Sequence, residues 1–173
     1  IINLKINKKN KSSDFRRYLI NGFNKSISIL KLNKKVAFIN GPINKENFLK
    51  KKYLGVTEYL AQKIRAKNPV MLIYNKKISV SPVTTHLPIK NVVKNLSKSK
   101  IIKNIKSINN FYNKNLKYKP KIAVLGLNPH CETTEKISEE KKIIIPAIKE
   151  AVKNKIYVKG PFSADTFFIK KNI

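Results

Sequence analysis

The stretch PKIAVLGLNP, residues 120–129, constrains the fold more than any other part of the chain. Its apolar side chains follow one another without the polar alternation of a half-wet strand, and prolines bound it at both ends. A short run of this kind reads as a strand buried on both faces, which requires helices on either side of its sheet. Other runs repeat the pattern: KVAFIN (35–40) ending at Gly41-Pro42, PVMLIYN (69–75), ISVSPVT (78–84), and a short strand within IYVKGPF. Helical spacing fills the intervals. Phe15, Tyr18, Leu19, Phe23, Ile27 and Leu30 share one face, as do Ile101, Ile105, Ile108 and Tyr112. TEYLAQKIRAK reads as a helix with Thr57 as N-cap and Glu58 set against the positive end of its dipole. Ser138-Glu139-Glu140 opens a further helix, in which Pro146 either starts a new turn or makes a kink. Strands alternating with helices predict an α/β fold, with VAFIN, VMLIY, ISVSPV and IAVLGL as strands of a central sheet.

Composition narrows the function classes. The hydrophobic fraction of 42% is ordinary for a globular chain and argues against wholesale disorder. No apolar run approaches the roughly 20 residues needed to span a bilayer, and no secretory pattern is visible, so no membrane partner is expected. The single cysteine, Cys131, cannot form an intrachain disulfide, which suits a reducing, cytoplasmic setting. It has no metal-ligand spacing and reads as a packed, inert thiol. The chain opens IINLKINKKN without an initiator Met and reads as an interior segment of a longer protein.

Charge is extreme: 38 Lys+Arg against 9 Asp+Glu give a formal +29. Clustered cations would indicate a nucleic-acid partner through counterion release. Here the lysines are scattered through every segment beside Asn and Ile, and only three residues are Arg. No zinc-finger, RNA-recognition or basic-zipper pattern occurs. The distribution fits a compositional drift, and no specific nucleic-acid partner is expected.

Three strand-like runs end in polar turns: INGPINK, VTTHLP and GLNPHC. Each alone reads as a chain reversal. Together they favour a ligand site, because ligands of open α/β sheets bind beyond the carboxyl ends of strands. His86, one of only two histidines, lies in the second of these turns. Lys45 in the first suits an anionic phosphate or carboxylate, or is one more solvated lysine. Asp165 in SADT is a polar site group or a helix N-cap. There is no GxGxxG, so a nicotinamide cofactor would not be held in Rossmann style.

NGPINK, GVTEYLA, TTHLPIK, GLNPH, IIPAI and GPFSADTFF occur in the order and spacing of the 4-hydroxythreonine-4-phosphate dehydrogenase family, which the chain resembles from about residue 36 to residue 168. The resemblance implies a three-layer α/β/α, isocitrate/isopropylmalate dehydrogenase-like fold. In it, residues 1–173 form one partial α/β unit, the central region of a larger dehydrogenase whose N- and C-terminal parts are absent. It further implies a homodimer that oxidises 4-phosphooxy-L-threonine with NAD or NADP. The product decarboxylates to 3-amino-2-oxopropyl phosphate, on the route to pyridoxal phosphate.

The family holds a divalent metal (zinc, cobalt or magnesium) through three histidines, one of them in TTHLP, so His86 looks like a metal ligand. An imidazole ligand favours zinc or cobalt over magnesium. Asp165 and Lys45 are the implied catalytic pair, and Asn128 and His130 the implied cofactor contacts; a purely loop-structuring role for His130 stays open. His86, Lys45, Thr57, Glu58 and Asp165 are expected to face one cleft.

The departures are specific. Where the family reads GHTE, this chain has Gly55-Val56-Thr57-Glu58, and valine coordinates nothing. The third metal histidine belongs to a YHDQ motif downstream of Ile173. NPHAGE has become NPHCET. The alternatives are a homologue that keeps the fold as a binding or regulatory protein and, on charge alone, a basic nucleic-acid-binding module.

Overall fold

The structure, a computed structural model, describes residues 12–33, 35–50, 52–53, 55–66, 69–131 and 137–169. The chain divides into two compact units, Ile1–Pro69 and Val70–Ile173.

The first unit is helical. Helix α1 spans Ser12–Leu32, α2 Lys45–Leu49 and α3 Val56–Lys63. The expected apolar stripe of α1 contributes Phe23 and Ile27 to the interior, while Phe15 stays half-exposed. Phe23 stacks on Phe48 at 5.3 Å between ring centroids, and Tyr59 meets both edge-on at 5.4 and 5.0 Å. Leu49 completes this core. Arg16 donates from Nε to the Phe48 carbonyl at 2.9 Å, tying α1 to the end of α2.

Two expectations fail in this unit. Thr57 does not cap α3: Gly55 is the N-cap, and Thr57 lies inside the first turn. Gly55 is extended and has no side chain to offer, so α3 starts without a side-chain cap. The run VAFIN forms no strand among the described residues. Its Phe38 packs on the ring cluster, while Ile39 is 91% exposed.

The second unit carries the sheet. A 3-10 turn at Ile89–Asn91 leads into α4, Val92–Asn95, then α5, Lys98–Phe111, and a π-helical turn, Tyr112–Leu116. Strand β1 is Ile122–Leu125. A second π-helical turn, Glu140–Ile144, precedes α6, Ile145–Lys153, and β2 is Val158–Phe162. Pro146 therefore starts a new helical turn: it sits in the first turn of α6, where its missing N–H is not needed.

Strands β1 and β2 run parallel, with Ile122 opposite Val158. Parallel neighbours need a long crossover, and α6 supplies it. Ile101, Ile102 and Ile105 of α5 meet Ile144, Ala147, Ile148 and Ala151 beneath Ile122, Val124 and Val158. Ala147 and Ala151 are fully buried, and their small side chains let α5 approach α6 closely.

The chain is thus α/β, but the four-run sheet read from the sequence is not what forms among the described residues. Only IAVL becomes a strand, beside VKGPF. It is half-buried, with Ala123 exposed, rather than covered on both faces. VMLIYN and ISVSPVT meet through one antiparallel bridge, Ile73 with Val80, whose two backbone bonds measure 2.8 and 3.0 Å. The turn between them is closed by Asn75, whose Oδ1 accepts from the Lys77 amide, and by Ser79. Apolar composition selects for burial, whereas a ladder also needs a partner with free backbone groups in register.

The β1–β2 register shifts between Ala123 and Leu125, opposite Gly160. Gly160 has φ +136°, and a Cβ there would lie 2.3 Å from the Val124 carbonyl oxygen. Only glycine allows this bulge, which bends β2 as it approaches the polar turns.

Candidate functional site

Beyond the carboxyl ends of β1 and β2, two turns are knitted together by backbone and side-chain bonds. The Gly126 amide donates to Phe162 O at 3.0 Å, and the Ala164 amide to Pro129 O at 2.7 Å. Ser163 Oγ donates to the His130 carbonyl at 2.9 Å. Across this seam Nδ1 of His130 lies 2.8 Å from Oδ2 of Asp165. The imidazole is largely exposed and the carboxylate partly so.

Within the first turn, the Asn128 side-chain oxygen accepts from the His130 amide at 3.0 Å, and the Asn128 carbonyl accepts from the Cys131 amide at 3.0 Å. Cys131 has φ +58°, and its Sγ occupies the space beside Gly126, where a Cβ would lie 2.3 Å away. Burial pushes the Cys131 thiol up, the Gly126 backbone opposes this, and the Glu140 and Asp165 carboxylates raise it further. That fits the inert thiol read from the sequence.

A residue not singled out from the sequence underlies the turn. Glu140 is 5% exposed, and its Oε1 accepts from the amides of both Leu127 and Asn128, each at 2.9 Å. Burial alone would raise its pKa. The amides of Asn128, Glu140 itself and Leu127, with the Ser138 hydroxyl, outweigh burial and hold the carboxyl below the ordinary glutamate range. Its one sequence signal was the acidic pair at the start of a helical segment, which points equally to a dipole effect.

Asp165, His130 and Asn128 are therefore brought together. His86 is exposed, at φ +56° in the turn after the Ile73–Val80 bridge, and takes part in none of these contacts. Lys45 is exposed at the start of α2, and Thr57 is exposed in the first turn of α3. Beside it, Glu58 Oε2 is buried without a hydrogen-bond partner among the described residues. These three belong to the first unit, His86, Asn128, His130 and Asp165 to the second. Residues 132–136, where the chain departs from NPHAGE, lie outside the described residues.

The donor set decides what the described residues can hold. No group of three or more His, Cys, Asp or Glu side chains among them is placed to enclose a metal ion, so they do not by themselves fit the expected three-ligand centre. The Leu127, Asn128 and His130 amides are already bonded within the turn, so it offers no amide nest for a cofactor phosphate. What it can offer is side-chain chemistry from Asn128, His130 and Asp165.

Comparison with known proteins concerns the chain as a whole. The family model described as "Pyridoxal phosphate biosynthetic protein PdxA" matches residues 1–173. A protein of Sulfurihydrogenibium sp. (strain YO3AOP1), named 4-hydroxythreonine-4-phosphate dehydrogenase, is 40% identical over 136 residues, covering 76% of this chain and 42% of that relative. One of Aquifex aeolicus with the same name is 42% identical over 133 residues, covering 74% and 41%. The crystal structure of 4-hydroxythreonine-4-phosphate dehydrogenase from Klebsiella pneumoniae superposes with a TM-score of 0.80 at 26% identity, over 92% of this chain and 50% of that one. The chain thus spans about two-fifths of the length of the curated relatives it matches. Among the described residues no helix is long and apolar enough to cross a membrane.

Proposed function

Because the chain belongs to the PdxA family of pyridoxal phosphate biosynthetic proteins, we propose that the whole protein oxidises 4-phosphooxy-L-threonine with NAD or NADP. The 3-oxo product loses carbon dioxide to give 3-amino-2-oxopropyl phosphate. The observation that carries this reading is the His130–Asp165 contact of 2.8 Å, set beyond two parallel strand ends. A carboxylate on Nδ1 fixes the neutral imidazole with its proton on that nitrogen. Nε2 is then left as an acceptor at the exposed edge of the turn.

In this reading Asp165 is catalytic and orients the His130 imidazole, and His130 and Asn128 would hold the nicotinamide cofactor. Lys45 neutralises the substrate phosphate or carboxylate. A nicotinamide cofactor supplies the hydride acceptor. His86 would provide one imidazole to a divalent metal, whether zinc, cobalt or magnesium, and no step is assigned to that ion. Assembly as a homodimer in the cytoplasm belongs to the same proposal and is supported by the family alone.

The test is a metal-supplemented assay of NAD and NADP reduction by the full-length protein with 4-phosphooxy-L-threonine. Activity in the wild type and a loss on the order of a hundredfold in Asp165→Asn are expected. A full-length protein that binds the substrate but never reduces the cofactor would support the binding-protein alternative, for which the valine at position 56 is the motive. Residues 1–173 alone are expected to show no turnover, since one imidazole and water bind metal weakly.

A further inference from the structure

We infer that Glu140 is a positioning residue, its buried carboxylate holding the Leu127–Asn128 backbone so that His130 meets Asp165. The inference rests on the reading of His130 and Asp165 as site residues, but it concerns how they are held. The path is continuous. Glu140 Oε1 receives the two successive amides at 2.9 Å, the second of them from Asn128. Asn128 then receives the His130 amide on Oδ1 and the Cys131 amide on its carbonyl. His130 in turn receives Ser163 Oγ on its carbonyl and faces Asp165 through Nδ1.

Two features argue that the carboxylate acts on the turn rather than merely filling space. One oxygen of a 5% exposed side chain takes both amides, and bonds to an ionised acceptor are stronger than neutral ones. Glu140 also sits at the very start of a π-helical turn continuous with α6, which packs into the aliphatic core. The grip is thus anchored to the most buried part of the unit, while the turn it holds is exposed. Without it, Leu127 and Asn128 would each lose the partner of an amide, and the Asn128 side chain would lose its fixed origin.

The test uses the 173-residue protein labelled with ¹⁵N. It has two histidines, so His86 serves as an internal control. At a pH where the imidazoles are neutral, long-range proton–nitrogen spectra report which ring nitrogen carries the proton. In the wild type His130 should carry it on Nδ1, toward Asp165. In Glu140→Ala the proton should move toward Nε2, with His86 unchanged, and alkylation of Cys131 should quicken on the order of tenfold as its turn opens. Glu140→Gln, which keeps a carbonyl acceptor, should restore Nδ1 protonation.

Protection of the Ile122 amide, bonded to Tyr157 O, shows that the strand pair survives. If Glu140→Ala loses it, Glu140→Asp decides the matter, because its carboxylate is withdrawn by one methylene. A shift of the proton toward Nε2 in that variant supports the inference. A wild-type distribution in any folded Ala or Asp variant overturns it, as does a wild type with the proton on Nε2. The readout is independent of turnover. An inactive full-length protein whose His130 still answers to Glu140 would defeat the proposed function and leave this inference standing.

Discussion

The unit Ile1–Pro69 closes its core with aromatic rings between helices, whereas Val70–Ile173 closes its own with branched aliphatics and alanine beneath a parallel strand pair. The contrast extends to polar groups. In the second unit they form a connected network at the strand ends, from Glu140 through Asn128 and His130 to Asp165. In the first, Lys45 and Thr57 stand exposed at helix starts, and Glu58 keeps a buried oxygen without a partner among the described residues. Parallel strand ends bring separate turns side by side, so side chains far apart in sequence can bond. A helix start presents its residues singly.

The largest expected effects come from breaking the two cores. Phe23, 3% exposed and in ring contact with Phe38, Phe48 and Tyr59, should cost about 3–5 kcal/mol as Phe23→Ala. Ile105, equally buried, should cost about 2–5 kcal/mol as Ile105→Ala. Amide exchange separates the two. Protection should fall first in α1 and α3 for the ring variant, and in α5 and α6 for the aliphatic one. Equal loss everywhere from either substitution would mean that the two units unfold as one.

Next comes the bulge. Gly160→Ala adds a Cβ that would meet the Val124 carbonyl oxygen at 2.3 Å, in a backbone conformation with φ +136°. The strain alone should cost about 1–3 kcal/mol, read as a lower urea midpoint with loss of the Gly126 amide's protection. Gly41, in the first unit, has open space where a Cβ would stand and a backbone without positive φ. Gly41→Ala should leave the midpoint within the roughly 0.5 kcal/mol typical of surface changes.

How much of this was legible follows from range. The stripes of α1 and α5, the strand IAVL and the short strand near Val158 are local patterns, and the sequence carried them, while for Pro146 it left a new turn and a kink both open. The runs 36–40, 69–75 and 78–84 are equally apolar, yet they form at most one bridge among the described residues, because pairing depends on distant backbone. At the site, Asp165 and His130 were picked out by resemblance, but their contact was not readable from residues 35 positions apart. Glu140 was missed for the same reason. Its acidic neighbourhood suggests a helix dipole, whereas its partners are the Leu127 and Asn128 amides.

A smaller effect is a dependence on pH that originates at Glu140 in the second unit. The Glu140 carboxyl is held below its ordinary range in the folded chain. A depressed carboxyl contributes stability above its unfolded pKa, and that contribution is lost as pH falls through the folded value. Denaturation midpoints should therefore decline below the usual glutamate range, near pH 4.3, and the decline should flatten in Glu140→Gln.

The smallest effect differs in sign between the units. Tyr59 and Tyr112 are both buried, at 5% and 7% exposure. The Tyr112 hydroxyl donates to Ser79 Oγ at 2.8 Å, linking the end of α5 to the bridge turn. The Tyr59 hydroxyl is buried without a partner among the described residues, and burial, with Tyr53 nearby, pushes its pKa up against the opposing Arg16 charge. Removing a satisfied hydroxyl forfeits its bond, so Tyr112→Phe should destabilise by about 1 kcal/mol, even though Ser79 Oγ keeps its bonds to the Asn75 amide and carbonyl. Removing an unsatisfied one relieves a desolvation penalty and keeps the ring, so Tyr59→Phe should be neutral or stabilising by up to about 1 kcal/mol. Urea midpoints of the two variants, measured side by side at neutral pH, check the sign. A loss in Tyr59→Phe as large as in Tyr112→Phe would show that the Tyr59 hydroxyl has a partner in solution, and the contrast between a networked unit and an unsatisfied one would no longer hold at this position.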